Sequence, residues 1–200
     1  MRVIVVGANG TIGRAVVAAL EPRHDVVPVS RTHGAQRVDL TDPRSIAAMY
    51  KAVGRVDAVI ATAGEAAFGP MAKLTDADFE LGLRSKLMGQ VNLVRLGVDA
   101  VADGGSFTLT SGILAHEPAP GSTSISLIGA ALEAFVAAAA LELPRGIRAN
   151  IVSPGWVSET LAAMGRDPAA GTPAEVVARS YVAALDGSVS GTVIRAAGGK

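Results

Sequence analysis

A chain of 200 residues, half of them apolar and only 18% charged, can bury one sizeable core and is too hydrophobic to stay disordered. Lys+Arg and Asp+Glu number 18 each, so no overall field draws the protein toward nucleic acid or an anionic membrane surface. With no cysteine there is no disulfide, thiolate metal site or cysteine nucleophile, and no metal is expected.

In chain order, Val3 to Val6 is an apolar run closed by Gly7, the pattern of a parallel strand buried on both faces. Thr11 to Leu20 predicts a helix ended by Pro22, and Val26 to Ser30 a second strand. After Val38, Thr41 or Asp42 can cap a helix with Pro43 in its first turn, running to Gly54. Val56 to Ala61 is a strand. A long helix is expected over 75–102, with Phe79, Leu83, Leu87, Val91, Val94 and Val98 at helical spacing. Ser106 to Thr110 is a strand, 122–143 a helix, Ile147 to Val152 a strand, Pro173 to Leu185 a helix and Thr192 to Arg195 a last strand. This alternation predicts one domain over 1–200: an α/β, doubly wound (Rossmann-type) parallel sheet of about seven strands, with helices on both faces. Gly69-Pro70 and Pro118 to Gly121 mark loops. The start reaches Gly7 after four apolar residues, unlike a signal peptide, and AFVAAAAL is too short to span a bilayer. No membrane association is expected, and the cytoplasm is the expected location.

VVGANGTIG, Val5 to Gly13, joins the first strand to the first helix. Gly7 permits a tight turn, Gly10 lets backbone N–H groups approach a pyrophosphate, and Gly13 lets helix and strand pack closely. Asn9, Thr11 and Ile12 complete the expected cofactor loop. A glycine turn that binds nothing is the bland alternative. The second strand ends in Ser30, Arg31 and Thr32, where an acidic residue would grip the ribose of NAD. An arginine fork suits a 2′-phosphate, so NADP(H) is preferred over NAD(H), with Arg14 nearby. A solvated surface arginine is the alternative there.

Together, VVGANGTIG, the ATAG run ending at Gly64, TLTSG at Thr108 to Gly112, ALEL at Ala140 to Leu143 and RANIVSPGWV at Arg148 to Val157 resemble the short-chain dehydrogenase/reductases in order and content. The resemblance covers the whole chain. It implies that Asp39 and Leu40 contact adenine, that Ala61, Ala63 and Gly64 line the cofactor, and that Pro154, Gly155 and Val157 orient the nicotinamide. Ser111 falls at the family's catalytic serine. Glu159 takes the place of a family threonine, and Thr160 follows one residue late.

The resemblance breaks at the catalytic pair. The family's tyrosine protonates the carbonyl oxygen, and a lysine four residues later lowers its pKa and anchors ribose. Ile125 and Gly129 align with them, and no tyrosine or lysine lies between Lys86 and Tyr181. Lys86 also replaces the family's asparagine on the long helix. A serine hydroxyl alone is a poor proton donor near neutral pH, and a matched acid is worth about a hundred- to ten-thousandfold in rate.

Lys86 is a candidate acid or anchor, since a desolvated lysine can titrate near neutrality; a structural cation is the alternative. His116, in the loop after Ser111, is a second candidate, although loop histidines are mostly solvated. Tyr50 and Tyr181 read as packing residues, and Trp156 as either a pocket wall or a cover for apolar surface. The helix over 122–143 is apolar around most of its circumference, so one side suits a partner. The resemblance implies two-fold pairing of this helix and the long helix over 75–102, as a homodimer or homotetramer. Two functions follow: an NADP(H)-dependent oxidoreductase acting on a small carbonyl-type or other acceptor through a non-standard site, or a catalytically inactive NADP(H)-binding sensor or partner protein.

Overall fold

The computed structural model describes residues 1–196; the last four residues of the expected domain, 197–200, lie outside the described residues. Seven strands form one sheet: β1 (Arg2–Val6), β2 (Asp25–Ser30), β3 (Gln36–Arg37), β4 (Val56–Ala61), β5 (Val101–Thr110), β6 (Arg148–Ser153) and β7 (Val193–Arg195). Their order is β3-β2-β1-β4-β5-β6-β7, and every neighbouring pair is parallel. The chain reverses its direction of winding between β1 and β4. In such sheets a crevice opens there, beyond the carboxyl ends of the strands.

Alternation along each strand divides the core into two layers. Ile4 and Val6 of β1 and Val59 and Ala61 of β4 face one side, with α2 (Pro43–Val53), α4 (Gly89–Gly97) and α5 (Thr123–Glu142) supplying Ile46, Leu93, Ile128 and Leu132. Val3, Val5, Ala58 and Ile60 face the other, against Val16 and Leu20 of α1 (Thr11–Leu20) and Val177 and Tyr181 of α7 (Ala174–Asp186). Fully burying each such aliphatic side chain contributes about 1.5–3 kcal/mol before entropy is counted.

The expected helix over 75–102 is not one continuous α-helix. α3 (Asp76–Gly82) begins with a Thr75–Asp78 capping box. A π-helical turn over Leu83–Met88 follows, and α4 ends at Gly97. Beyond it the Val98 carbonyl accepts from Arg145 Nη2 at 2.6 Å, and β5 has already begun at Val101, five residues before the expected Ser106. Gly97 is required where the helix stops, because a Cβ there would lie 2.4 Å from the Tyr50 hydroxyl oxygen.

β3 and a short α6 (Ser158–Ala163) are further elements absent from the sequence expectation. α5 is also longer in apolar extent than the AFVAAAAL count allowed. By length and composition alone, with mean hydropathy 1.9, it could cross a membrane. Ile128, Leu132 and Val136 pack on the sheet instead, and Glu133 is buried against Ser111, just past the end of β5.

Candidate functional site

The glycine loop forms a cradle. Gly7 adopts φ +86 and Gly10 N–H donates to the Gly7 carbonyl at 2.9 Å, closing the turn after β1. A Cβ on Gly13 would lie 2.0 Å from the Gly7 oxygen, so only glycine lets α1 rise this close to the strand end. No side chain caps α1, leaving its positive end toward the crevice for an anion. Thr11 and Ile12 stand in that first turn. Arg14 reaches back to the Asn9 carbonyl at 2.9 Å and braces the loop.

A cavity of about 280 Å³ opens beside this cradle, lined by Gly7, Asn9 and Gly10 on one side and Ser30, Arg31 and Thr32 on the other. Asp39 and Leu40 form its far wall and Ala63 and Gly64 its floor. Ser30 holds the turn beyond β2: its hydroxyl donates to the His33 carbonyl and accepts from His33 N–H at 3.1 Å. Arg31 meets Glu65 at 2.7 Å. Hydrogen bonds from the Thr41 hydroxyl and N–H fix the Asp39 carboxylate and hold its pKa below the usual value. Ala61, expected to line the cofactor, is instead fully buried in the sheet. The strand's alternation turns Thr62 outward in its place.

A second cavity, of about 430 Å³, shares Thr62 and Gly64 with the first, so the crevice is continuous. Ile12, Pro154, Gly155 and Val157 line one side of it. Ser111, Lys86 and Ile125 line the opposite wall. Phe68 and Trp156 stack edge-to-face at 6.1 Å, and Arg166 lies over the Trp156 ring at 4.9 Å. Trp156 is therefore a wall residue. Glu159, at the position of the family threonine, receives the Ala174 N–H on both carboxylate oxygens and caps α7; Thr160 lines the cavity.

Five buried hydrogen bonds set Ser111 and the strand end before it. Gln90, fully buried on α4, accepts from Thr110 N–H at 2.8 Å and donates to the Thr110 carbonyl at 3.0 Å, clamping the end of β5. The Thr110 hydroxyl donates to the Ala61 carbonyl at 2.5 Å and meets the Tyr181 hydroxyl at 2.7 Å. Tyr181 is thus packing, as expected, but its oxygen ends one residue from Ser111; burial pushes its pKa up. Ser111 itself donates to Glu133 Oε1 at 2.6 Å, and Glu133 Oε2 lies 2.6 Å from His116 Nε2.

Lys86 sits in the π-helical turn, pressed on the Gly64 loop: a Cβ on Gly64, whose φ is +128, would lie 2.7 Å from the Lys86 Cα. Withdrawal of the ammonium from bulk water lowers its pKa to about 8. No carboxylate lies within ion-pair distance of it among the described residues. Sequence reasoning thus placed Ser111, Lys86 and His116 in one neighbourhood and missed Glu133, Gln90, Thr62 and Phe68. Of these only Gln90 and Glu133, polar residues on apolar helix faces, carried a sequence signal.

Sheet order, glycine cradle and a crevice at the switch point define a Rossmann-type dinucleotide-binding protein. Residues 2–185 match the family model described as enoyl-(acyl carrier protein) reductase. The chain belongs to the short-chain dehydrogenase/reductase family. It is 38% identical to the protein lin1944 from Listeria innocua, whose crystal structure superposes with a TM-score of 0.93 over 98% of both chains. A small-chain dehydrogenase crystallised with NADPH is 28% identical, with a TM-score of 0.86 over 98% of this chain and 95% of that one. An uncharacterized NAD-dependent oxidoreductase of Mycobacterium tuberculosis is 32% identical over 128 residues, 60% of this chain. The match spans about half, 46%, of that curated relative's length.

Proposed function

We propose that the protein is an NADP(H)-dependent oxidoreductase with a non-standard active site. The observation that carries this reading is the glycine cradle, which a single Cβ at Gly13 would fill, opening into a crevice that runs on to Ser111 and Lys86. A dinucleotide fits these residues: the α1 amides and Gly10 would hold its pyrophosphate, Arg31 and Thr32 its 2′-phosphate, and Pro154, Gly155 and Val157 its nicotinamide. The relative crystallised with NADPH supports the phosphate preference; the Mycobacterium tuberculosis relative, called NAD-dependent, is the reason to test it.

When bound, the nicotinamide supplies or accepts a hydride. The chain's own residues do the rest. Ser111 can donate a hydrogen bond to a carbonyl oxygen, and the Lys86 ammonium on the same wall can stabilise charge developing there. Phe68 and Trp156 give the cavity an aromatic edge. A small carbonyl-type acceptor suits a cavity of this size. The protein is further proposed to pair through α4 and α5 as a homodimer or homotetramer. A cytoplasmic location belongs to the same reading, and fractionation of expressing cells tests it.

A catalytically inactive NADP(H) sensor is the second reading, favoured by Ile125 and Gly129 at the positions aligned with the family's tyrosine and lysine. NADPH offered with a panel of ketones, aldehydes and quinones separates the two by cofactor absorbance. Turnover that is lost in both Ser111→Ala and Lys86→Ala supports the enzyme. Tight NADPH binding without turnover on any acceptor supports the sensor.

A further inference from the structure

We propose that His116, Glu133 and Ser111 form a proton relay from solvent to the substrate oxygen; the inference rests on the oxidoreductase reading and gives Glu133 a positioning role in it. The Glu133 side chain is only 9% exposed, in the middle of a helix whose only other charged residue is Glu142 at its end. A carboxylate there is costly unless it is fully paired. It is: Oε1 accepts from the Ser111 hydroxyl at 2.6 Å and Oε2 faces His116 Nε2 at 2.6 Å. His116, 34% exposed, touches water at the outer end. Ser111 faces the cavity at the inner end.

Gly129, one turn before Glu133, makes the bridge possible. A Cβ there would stand 3.1 Å from the Ala115 Cβ and 3.9 Å from the Ser111 Cβ. Without one, the end of β5 and the following loop settle on α5 within reach of the carboxylate. The ionisable groups on the surrounding elements are Lys86, which lines the same cavity as Ser111, and Glu117, next to His116 in the loop. Neither forms an ion pair with the trio.

Reduction of a carbonyl needs a hydride at carbon and a proton at oxygen. As the C=O π bond breaks and its electrons move to oxygen, that oxygen takes the Ser111 hydroxyl proton. In the resting hydrogen bond the Ser111 proton points at Glu133 Oε1, so the step begins only once a proton passed from His116 sits on Oε1 and the bond has reversed. Ser111 then gives its proton to the substrate oxygen, takes the one on Oε1 and stays neutral. The carboxylate left behind is reprotonated by His116, which draws on water. Run backward, the alcohol proton passes to Ser111, then to Glu133, then out through His116. A serine that is too weak an acid alone becomes a conductor between substrate and a carboxyl group.

Two kinds of measurement test the relay. In the protein without cofactor, the hydrogen-bonded His116 Nε2–H gives a downfield NMR signal that is lost in Glu133→Ala. In NADPH turnover, the near-isosteric Glu133→Gln lowers kcat about a hundredfold and leaves KM and calorimetric NADPH affinity unchanged. His116→Ala, at a partly exposed site that does not threaten folding, also loses rate and regains it with added imidazole. An unchanged Nε2–H signal in Glu133→Ala, or wild-type kcat in Glu133→Gln and His116→Ala, overturns the relay alone. A wild-type protein that binds NADPH but reduces no acceptor overturns the oxidoreductase reading and the relay with it.

Discussion

Arg31 and Glu65, both lining the first cavity, face each other at 2.7 Å and are well exposed. An exposed pair of this kind contributes little to stability, so a 2′-phosphate can draw the guanidinium from Glu65 at small cost. Arg31→Ala is expected to weaken NADPH about tenfold or more, the worth of a charge-assisted hydrogen bond, and to leave NADH little changed; equal losses for both cofactors would contradict the assignment. Lys86 makes a different prediction. Its folded pKa of about 8 lies below the ordinary 10.5, so between those pH values the unfolded chain holds more protons and stability rises with pH. Lys86→Met removes that rise. Between about pH 8 and 10.5 the wild-type denaturant midpoint therefore rises relative to that of the variant, and curves that stay parallel would show that the ammonium is not desolvated. The glycine cradle could be read from local spacing, whereas Ser111 and Lys86 stand out in the sequence only through the family resemblance. Glu133 gave only a weak local sign, a lone charge on an apolar helix face, because its partner lies 22 residues away in sequence.

The π-helical turn over Leu83–Met88 separates α3 from α4 and places Lys86 at the crevice. Such turns recur at functional sites. Apolar periodicity ran through it unbroken, so the sequence predicts one long helix where the structure has two and a turn. Termination was equally hidden, because the Val98 carbonyl finds its donor in Arg145, 47 residues on. β5 was read short because Gly104 and Gly105 carry no strand signal, although β5 runs from Val101. The same helix pair holds the site: α4 presents Gln90 to both backbone groups of Thr110. Gln90→Leu leaves that buried N–H and C=O unpaired, at about 1–3 kcal/mol each. A denaturant midpoint unchanged in this variant would show that the strand end needs no clamp. The expected result is a clear loss of stability, together with slower turnover as Ser111 moves.

At the scale of the whole molecule, alternating strands and helices fixed the doubly wound sheet in advance, since each strand's two-sided burial requires helices on both faces. That topology brings the glycine cradle of β1, the end of β4 and Ser111 after β5 to one edge, although they are far apart in sequence. The outer faces of α4 and α5 leave Leu96, Leu127 and Leu141 exposed, the last at 89%. Pairing through them predicts a light-scattering mass of two or four chains at micromolar concentration; one chain would contradict it. The central claim is that the crevice grips a phosphorylated dinucleotide. Calorimetric titration tests it most directly: one NADPH per chain, bound more tightly than NADH, with binding abolished in Gly13→Val, is the predicted result, and indifference to both cofactors would contradict the account.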